Sequence, residues 1–280
     1  MTQTSLANAA AKFRVGLVQL CATRNPDENT LLATKLIRQA ANEGAQYIQT
    51  PEVTTLMETD PKAMLAVSQP EESNTSLDAF RSLAAELSVW LHIGSIGIKV
   101  SDTKLANRSF VIAPDGNIAA RYDKIHMFDV ILPNEERYDE SRNFEPGVNA
   151  VSVDLPWGRL GLTICYDLRF AYLHRALAHA GAQFLAVPAA FTRTTGEAHW
   201  HTLLKARAIE TGCFVFAAGQ TGDHDCGRQT FGHSLVVSPW GEILTDGGTS
   251  QGVVVADIDV GRVTDVRRQI PALNHDRTFE

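Results

Sequence analysis

Three side chains of this sequence could together cut an amide bond: Glu52, Lys124 and Cys165. Each follows a strand-like run and opens a polar segment. Amide hydrolysis needs a nucleophile, a base that activates it and then protonates the leaving amine, and a positive or N–H group facing the oxyanion. Cysteine, glutamate and lysine can fill those roles in that order. The cysteine is the best placed of the three. The apolar run 160–164 stops at Cys165, charged residues follow, and a helical pattern begins with Leu173, Ala176, Leu177 and Ala180. A cysteine at such a strand-to-helix elbow can face a cleft, and the backbone N–H of Tyr166 then points where an oxyanion forms. The alternative is a buried structural cysteine, since free Cys packs as a small hydrophobe.

The elements that must position these groups alternate between strand and helix. A strand is expected over 13–20. A helix follows, with Asn25 as its N-cap, Pro26 in its first turn and Ala33, Leu36, Ile37, Ala40 and Ala41 on one face. Gly44 closes it, and the short strand 47–49 runs into Thr50-Pro51-Glu52. This is a β-α-β unit, with Glu52 just beyond the strand end where ligands bind in open α/β sheets. A polar loop is expected over 58–75, a helix through Phe80, Leu83, Ala84 and Leu87, a strand over 90–100, and a hairpin turning at Pro114-Asp115-Gly116 and ending at Lys124. The irregular stretch 129–147 is long for a loop and marks a functional segment. Beyond the Cys165 elbow the pattern gives strand 183–187, a loop at 191–196, a helix over about 197–211, strands at 214–218 and 231–237, and a last strand at 253–258. Alternation with inserted hairpins implies helices layered on sheet. No repeat or linker divides the chain, so one domain is expected over 13–280 behind a tail at 1–12.

The 280 residues suffice for a large core, with 44% hydrophobic and 20% charged residues. The net charge of −7 and the lack of a basic run argue against nucleic acid as a partner. No apolar run approaches membrane-spanning length. The start of the chain lacks the pattern of a signal peptide. Four scattered cysteines, Cys21, Cys165, Cys213 and Cys226, without a C-x-x-C pair, suit a reducing cytoplasm rather than a disulfide or zinc framework.

The segments Thr50-Pro-Glu52, Arg121-Tyr-Asp-Lys124-Ile-His-Met-Phe-Asp129 and Gly161-Leu-Thr-Ile-Cys165-Tyr-Asp-Leu-Arg169-Phe170 resemble, in order and spacing, the three signature segments of the nitrilase, or carbon–nitrogen hydrolase, superfamily. The resemblance covers about 14–271. It implies a four-layer α-β-β-α sandwich and a Glu-Lys-Cys triad. In that triad Glu52 is the general base, Lys124 the oxyanion stabiliser and Cys165 the nucleophile, with the Tyr166 N–H completing the oxyanion hole. It also implies a second glutamate in the loop after the lysine, which Glu140 fits better than Glu135 or Glu136. Its role there is to orient Lys124 or the substrate. A homodimer or larger homo-oligomer is implied too, and neither cofactor nor metal is expected.

Within the superfamily, the segments 194–200, 204–211 and 232–241 resemble the branch containing deaminated glutathione amidase and omega-amidase. The expected substrate is then a small anionic 2-oxo acid amide, foremost deaminated glutathione, with 2-oxoglutaramate as the alternative. A nitrile, an N-carbamoyl amine and a non-enzymatic scaffold role are the remaining readings. An anionic substrate calls for a cation in the pocket, for which Arg193, Lys205 and Arg207 are candidates, with Phe191 and Thr195 as wall residues. Glu197 and Met127 depart from the proline and leucine common among relatives, in what should be the specificity region. Asp167 and Arg169 are expected to pair at the elbow, and His126 to be a packed histidine. His199 and His201 would point to different helix faces and hold no metal. The run Asp223-His224-Asp225-Cys226 reads as a solvated loop, and Cys213 as core.

Overall fold

A computed structural model describes residues 12–133 and 135–279. The expected tail falls outside them except for Lys12, which opens the first strand opposite Asp259.

Two six-stranded sheets form the centre. The first runs in the order Gly252–Asp259, Lys12–Gln19, Tyr47–Gln49, Trp90–Lys99, Leu105–Ile112, Ile118–Asp123; the second in the order Ile243–Asp246, Leu235–Val237, Phe214–Ala217, Phe184–Ala186, Gly158–Leu162, Val151–Leu155. In each, three central strands are parallel and the outer ones antiparallel. The alternation of strand Lys12–Gln19 shows how the layers assemble. Phe13, Val15 and Leu17 point to the second sheet and pack with Phe184, Phe216 and Leu160. Val18 and the following Leu20 join Leu36, Ile37, Phe80 and Leu83, from helices Pro26–Asn42 and Thr75–Leu87, on the other side. Helices Ala171–His179 and Arg193–Thr211 cover the outer face of the second sheet through Leu173, Leu177, Trp200, Leu204 and Ala208. The result is the expected four-layer α-β-β-α sandwich.

Local signals act as the sequence implies at several points. The Asn25 side chain accepts from the N–H groups of Asp27 and Glu28, and Gly44 takes a φ of 86° after the helix. Gly94 sits where a Cβ would lie 2.2 Å from the Thr50 carbonyl oxygen and 2.4 Å from that of Pro51, so only glycine lets the Glu52 loop close over its neighbour strand. Elsewhere the structure adds elements. The loop expected at 58–75 contains the helix Pro61–Val67, capped by Asp60, which buries none of its residues and so carries no apolar stripe to read. The helix expected from about 197 begins at Arg193, because Thr192 caps it through Thr195 N. The stretch 129–147 folds partly into a hairpin, Asp129–Ile131 against Arg137–Asp139. A short helix, Gly261–Gln269, follows the last strand.

Candidate active site

Strand ends from both sheets converge on one cavity of about 800 Å³. The turn after Tyr47–Gln49 supplies Glu52, the end of Ile118–Asp123 supplies Lys124, and the elbow after Gly158–Leu162 supplies Cys165. Cys165 has a φ of 48°, a left-handed conformation unfavourable for a residue with a Cβ. The elbow is pinned on both sides to hold it: Cys165 N–H donates to the Pro188 carbonyl at 2.9 Å, and Ile164 N–H to Asp167 Oδ2 at 2.9 Å.

Glu52 and Lys124 are almost wholly buried and meet directly, with Nζ 2.8 Å from Oε1. Glu140 chelates the same ammonium at 2.9 and 2.8 Å and accepts Phe128 N–H at 2.6 Å. Glu52 is further held by Asn107 Nδ2 at 2.9 Å and by Ala190 N–H at 2.8 Å. Burial pushes the Glu52 carboxyl up, but the Lys124 charge and hydrogen bond outweigh it and keep the group below its ordinary value. Burial likewise works against the Lys124 ammonium, and Glu140 and Glu52 together overcome it, so its pKa is raised. The Cys165 thiol is pushed well up, first by burial and then by the Glu52 charge, with Lys124 pulling the other way. The resting arrangement is therefore a thiol beside an ionised carboxylate.

Asp167 does not pair with Arg169 as expected. It is fully buried and accepts four hydrogen bonds, from Tyr122 Oη at 2.7 Å, His126 N–H at 3.0 Å, His126 Nδ1 at 2.6 Å and Ile164 N–H. Tyr122 and His126 flank Lys124, and Asp167 lies two residues past Cys165, so one carboxylate ties the lysine segment to the cysteine elbow. Arg169 instead lies over the rings of Tyr166 and Phe191. His126 is packed as expected, stacked on Phe170 at 3.6 Å.

Tyr166, Phe191 and Thr195 line the cavity. The three candidate cations do not. Arg193 pairs with Asp223 at 2.7 Å, Arg207 is buried against the Leu168 carbonyl and Glu210, and Lys205 is exposed. Glu197 and Met127 also fall outside the lining. The loop 223–226 is only partly solvated, for His224 is buried, with Nδ1 2.8 Å from the Ala22 carbonyl and Nε2 2.8 Å from Thr230 Oγ1, and Cys226 lines the cavity. His199 and His201 diverge as expected, but His201 meets His233 and Asp246, a trio whose ligand atoms lie within 4.8 Å. Asp246 bonds both imidazoles directly, and none of the three lines the cavity.

Sequence reasoning missed Asn107, Tyr138, Arg228 and the helix Pro61–Val67, all of which line the cavity. Asn107 had a signal: asparagine is disfavoured inside a strand such as Leu105–Ile112. Its amide bridges Glu52 and Glu140.

The pattern of the carbon-nitrogen hydrolase family matches residues 14–268, and the chain belongs to that family. It is 38% identical over 266 residues to the deaminated glutathione amidase of Yersinia enterocolitica, covering 94% of this chain and 92% of that one. It is 37% identical over 271 residues to the omega-amidase of Homo sapiens, covering 95% of each. Among solved structures, the NitFhit protein of C. elegans superposes with a TM-score of 0.89 at 34% identity, over 96% of this chain and 66% of that longer one. An amidase from Nesterenkonia sp. AN1, solved with acrylamide added to its active-site cysteine, matches with a TM-score of 0.78 at 26% identity over 92% and 98%. This protein is a hydrolase of carbon–nitrogen bonds other than peptide bonds.

Proposed function

We propose that the protein hydrolyses the amide joining a 2-oxoglutaryl group to cysteinylglycine in deaminated glutathione. The observation that carries this is the contact cluster of Glu52, Lys124 and Glu140 beside Cys165, at the base of a cavity of about 800 Å³. That volume is at the upper end of small-molecule sites and leaves room for a dipeptide leaving group beyond the acyl chain. Near-equal identity to an omega-amidase supports a second reading, release of ammonia from 2-oxoglutaramate, whose acyl half is the same.

In the proposed reaction Glu52 takes the Cys165 proton and the thiolate attacks the amide carbonyl. The oxyanion is held by the Tyr166 N–H and by Lys124. Lys124 can turn one N–H to it because Glu140 grips the ammonium through both oxygens and keeps one bond. Glu52 then protonates the leaving amine, which departs as the carbonyl reforms and leaves a thioester on Cys165. Water, deprotonated by Glu52, attacks the thioester and expels the thiol, releasing the acid. The homo-oligomer is part of this proposal, and sedimentation at micromolar concentration reads it directly.

Product formation from deaminated glutathione and from 2-oxoglutaramate at equal concentration tests the substrate, with Cys165→Ala as the blank. Faster release of cysteinylglycine from the first is expected. Faster ammonia release from the second moves the protein to the alternative, and no release from either contradicts both.

A further inference from the structure

The cavity contains a cation that the triad does not use. Arg228 lines the same cavity as the Glu52, Lys124 and Cys165 cluster, with its guanidinium carbon 5.4 Å from the centre of the Tyr138 ring. One Nη2–H donates to the Ala190 carbonyl at 2.7 Å, while the N–H of the same residue 190 donates to Glu52 Oε2. One residue thus sets the arginine and the base in fixed relation. Among the described residues no carboxylate pairs with Arg228, and its buried Nε has no partner at all. An unpaired buried donor is costly, and on a guanidinium it is matched best by an anionic oxygen.

The other cations of the cavity are committed or peripheral. Lys124 is taken up by Glu52 and Glu140. Arg137 and Arg142 are exposed. The buried cluster of two carboxylates and one ammonium carries an excess negative charge, which repels an anionic substrate unless a cation close by offsets it. Arg228 is that cation, and its charge also helps to hold Glu52 ionised.

We propose that Arg228 binds the carboxylate of the substrate's 2-oxo acid end, the end of the acyl chain away from the scissile amide. The proposal deepens the amidase reading above and rests on it. It makes the site selective for acyl groups that bear a carboxylate opposite the reacting carbonyl, and it applies equally to both candidate substrates because they share that half.

Two measurements test it. In a Cys165→Ala background, calorimetric titration with 2-oxoglutarate should show affinity about 10- to 100-fold weaker on adding Arg228→Gln, the loss expected for one charged hydrogen-bonding partner. Arg228→Lys should lie between, keeping the charge without the planar fork. In the active enzyme, the ratio of KM for 2-oxoglutaramate to KM for levulinamide, which carries a methyl group in place of the carboxylate, should rise by a similar factor in Arg228→Gln. Unchanged 2-oxoglutarate affinity, or an equal loss on both amides, overturns the assignment and leaves the amidase reading intact. If the active enzyme does not turn over 2-oxoglutaramate or deaminated glutathione, yet the Arg228-dependent binding of 2-oxoglutarate is found, the substrate reading fails and the role of Arg228 stands.

Discussion

Cys165 and Cys213 are both buried, both lie close to the end of a strand of the second sheet, and both have thiols pushed up by burial. Their surroundings differ in kind. Cys213 sits in the core, its Sγ 3.3 Å from the Ala182 carbonyl and 3.1 Å from Arg267 Nη2, and it lines no part of the active cavity. Cys165 sits on a left-handed elbow facing that cavity, beside a carboxylate kept ionised by a lysine. Burial alone makes a cysteine inert. What makes one reactive is a base in contact and a backbone bent to expose it.

The sharpest way to break this contrast is to remove each sulfur in turn. Cys165→Ala should lower kcat at least about 10⁴-fold, as loss of a nucleophile does. Cys213→Ala should change kcat less than about threefold and cost about 1 kcal/mol in a denaturant titration, the price of a weak buried contact. Comparable kcat values for the two variants would erase the distinction. Next in size, Glu52→Gln keeps the volume but removes the proposed base, and should lower kcat about 10²- to 10⁴-fold in single-turnover kinetics.

Asp167→Asn probes the positioning of Cys165 relative to Lys124. Asp167 touches neither the cavity nor the triad, yet its four bonds join the two segments. A loss of about 10- to 100-fold in kcat with little change in KM is expected for an orienting group of this kind. A loss confined to thermal stability would show that the brace is structural only.

A further effect is on pH dependence. Burial lowers His92 from an ordinary 6.5 to about 3 and His174 to about 4. The unfolded chain binds these protons first, so stability should fall as pH drops below 6.5 and keep falling to about 4 for His174 and about 3 for His92. Glu52, held below its usual carboxylate range, stays ionised through most of that window. Activity per folded molecule should therefore persist down to about pH 5 while the urea midpoint already declines. Parallel losses would place a histidine in the reaction.

The alternation of strand and helix and the places of Glu52, Lys124 and Cys165 were legible in the sequence through local signatures, whereas the four-layer sandwich and Glu140 were implied by the resemblance to the family. The Asn25 cap, the one-sided face of its helix and the abrupt end of the apolar run at Cys165 are visible without tertiary contacts. The cavity walls were not. Arg193 and Arg228 look alike in sequence, each a lone arginine beside polar loop residues. Only the fold spends Arg193 on Asp223 and leaves Arg228 unpaired in the cavity. Helix Pro61–Val67 buries no residue, so its apolar members, Met64 and Val67, gave no stripe although they line the cavity. The expected Asp167–Arg169 pair failed because proximity in sequence says nothing about Tyr122 and His126, which reach Asp167 from 45 and 41 residues away.

The proposed reaction passes through a covalent thioester on Cys165. Mixing the enzyme with excess deaminated glutathione, quenching in acid within milliseconds and measuring the digested protein by mass spectrometry tests it directly. A 2-oxoglutaryl mass increase is expected on the peptide containing Cys165, appearing before steady state and absent from Cys213, Cys21 and Cys226. Steady turnover with no adduct on Cys165, or with the adduct on another cysteine, would contradict it.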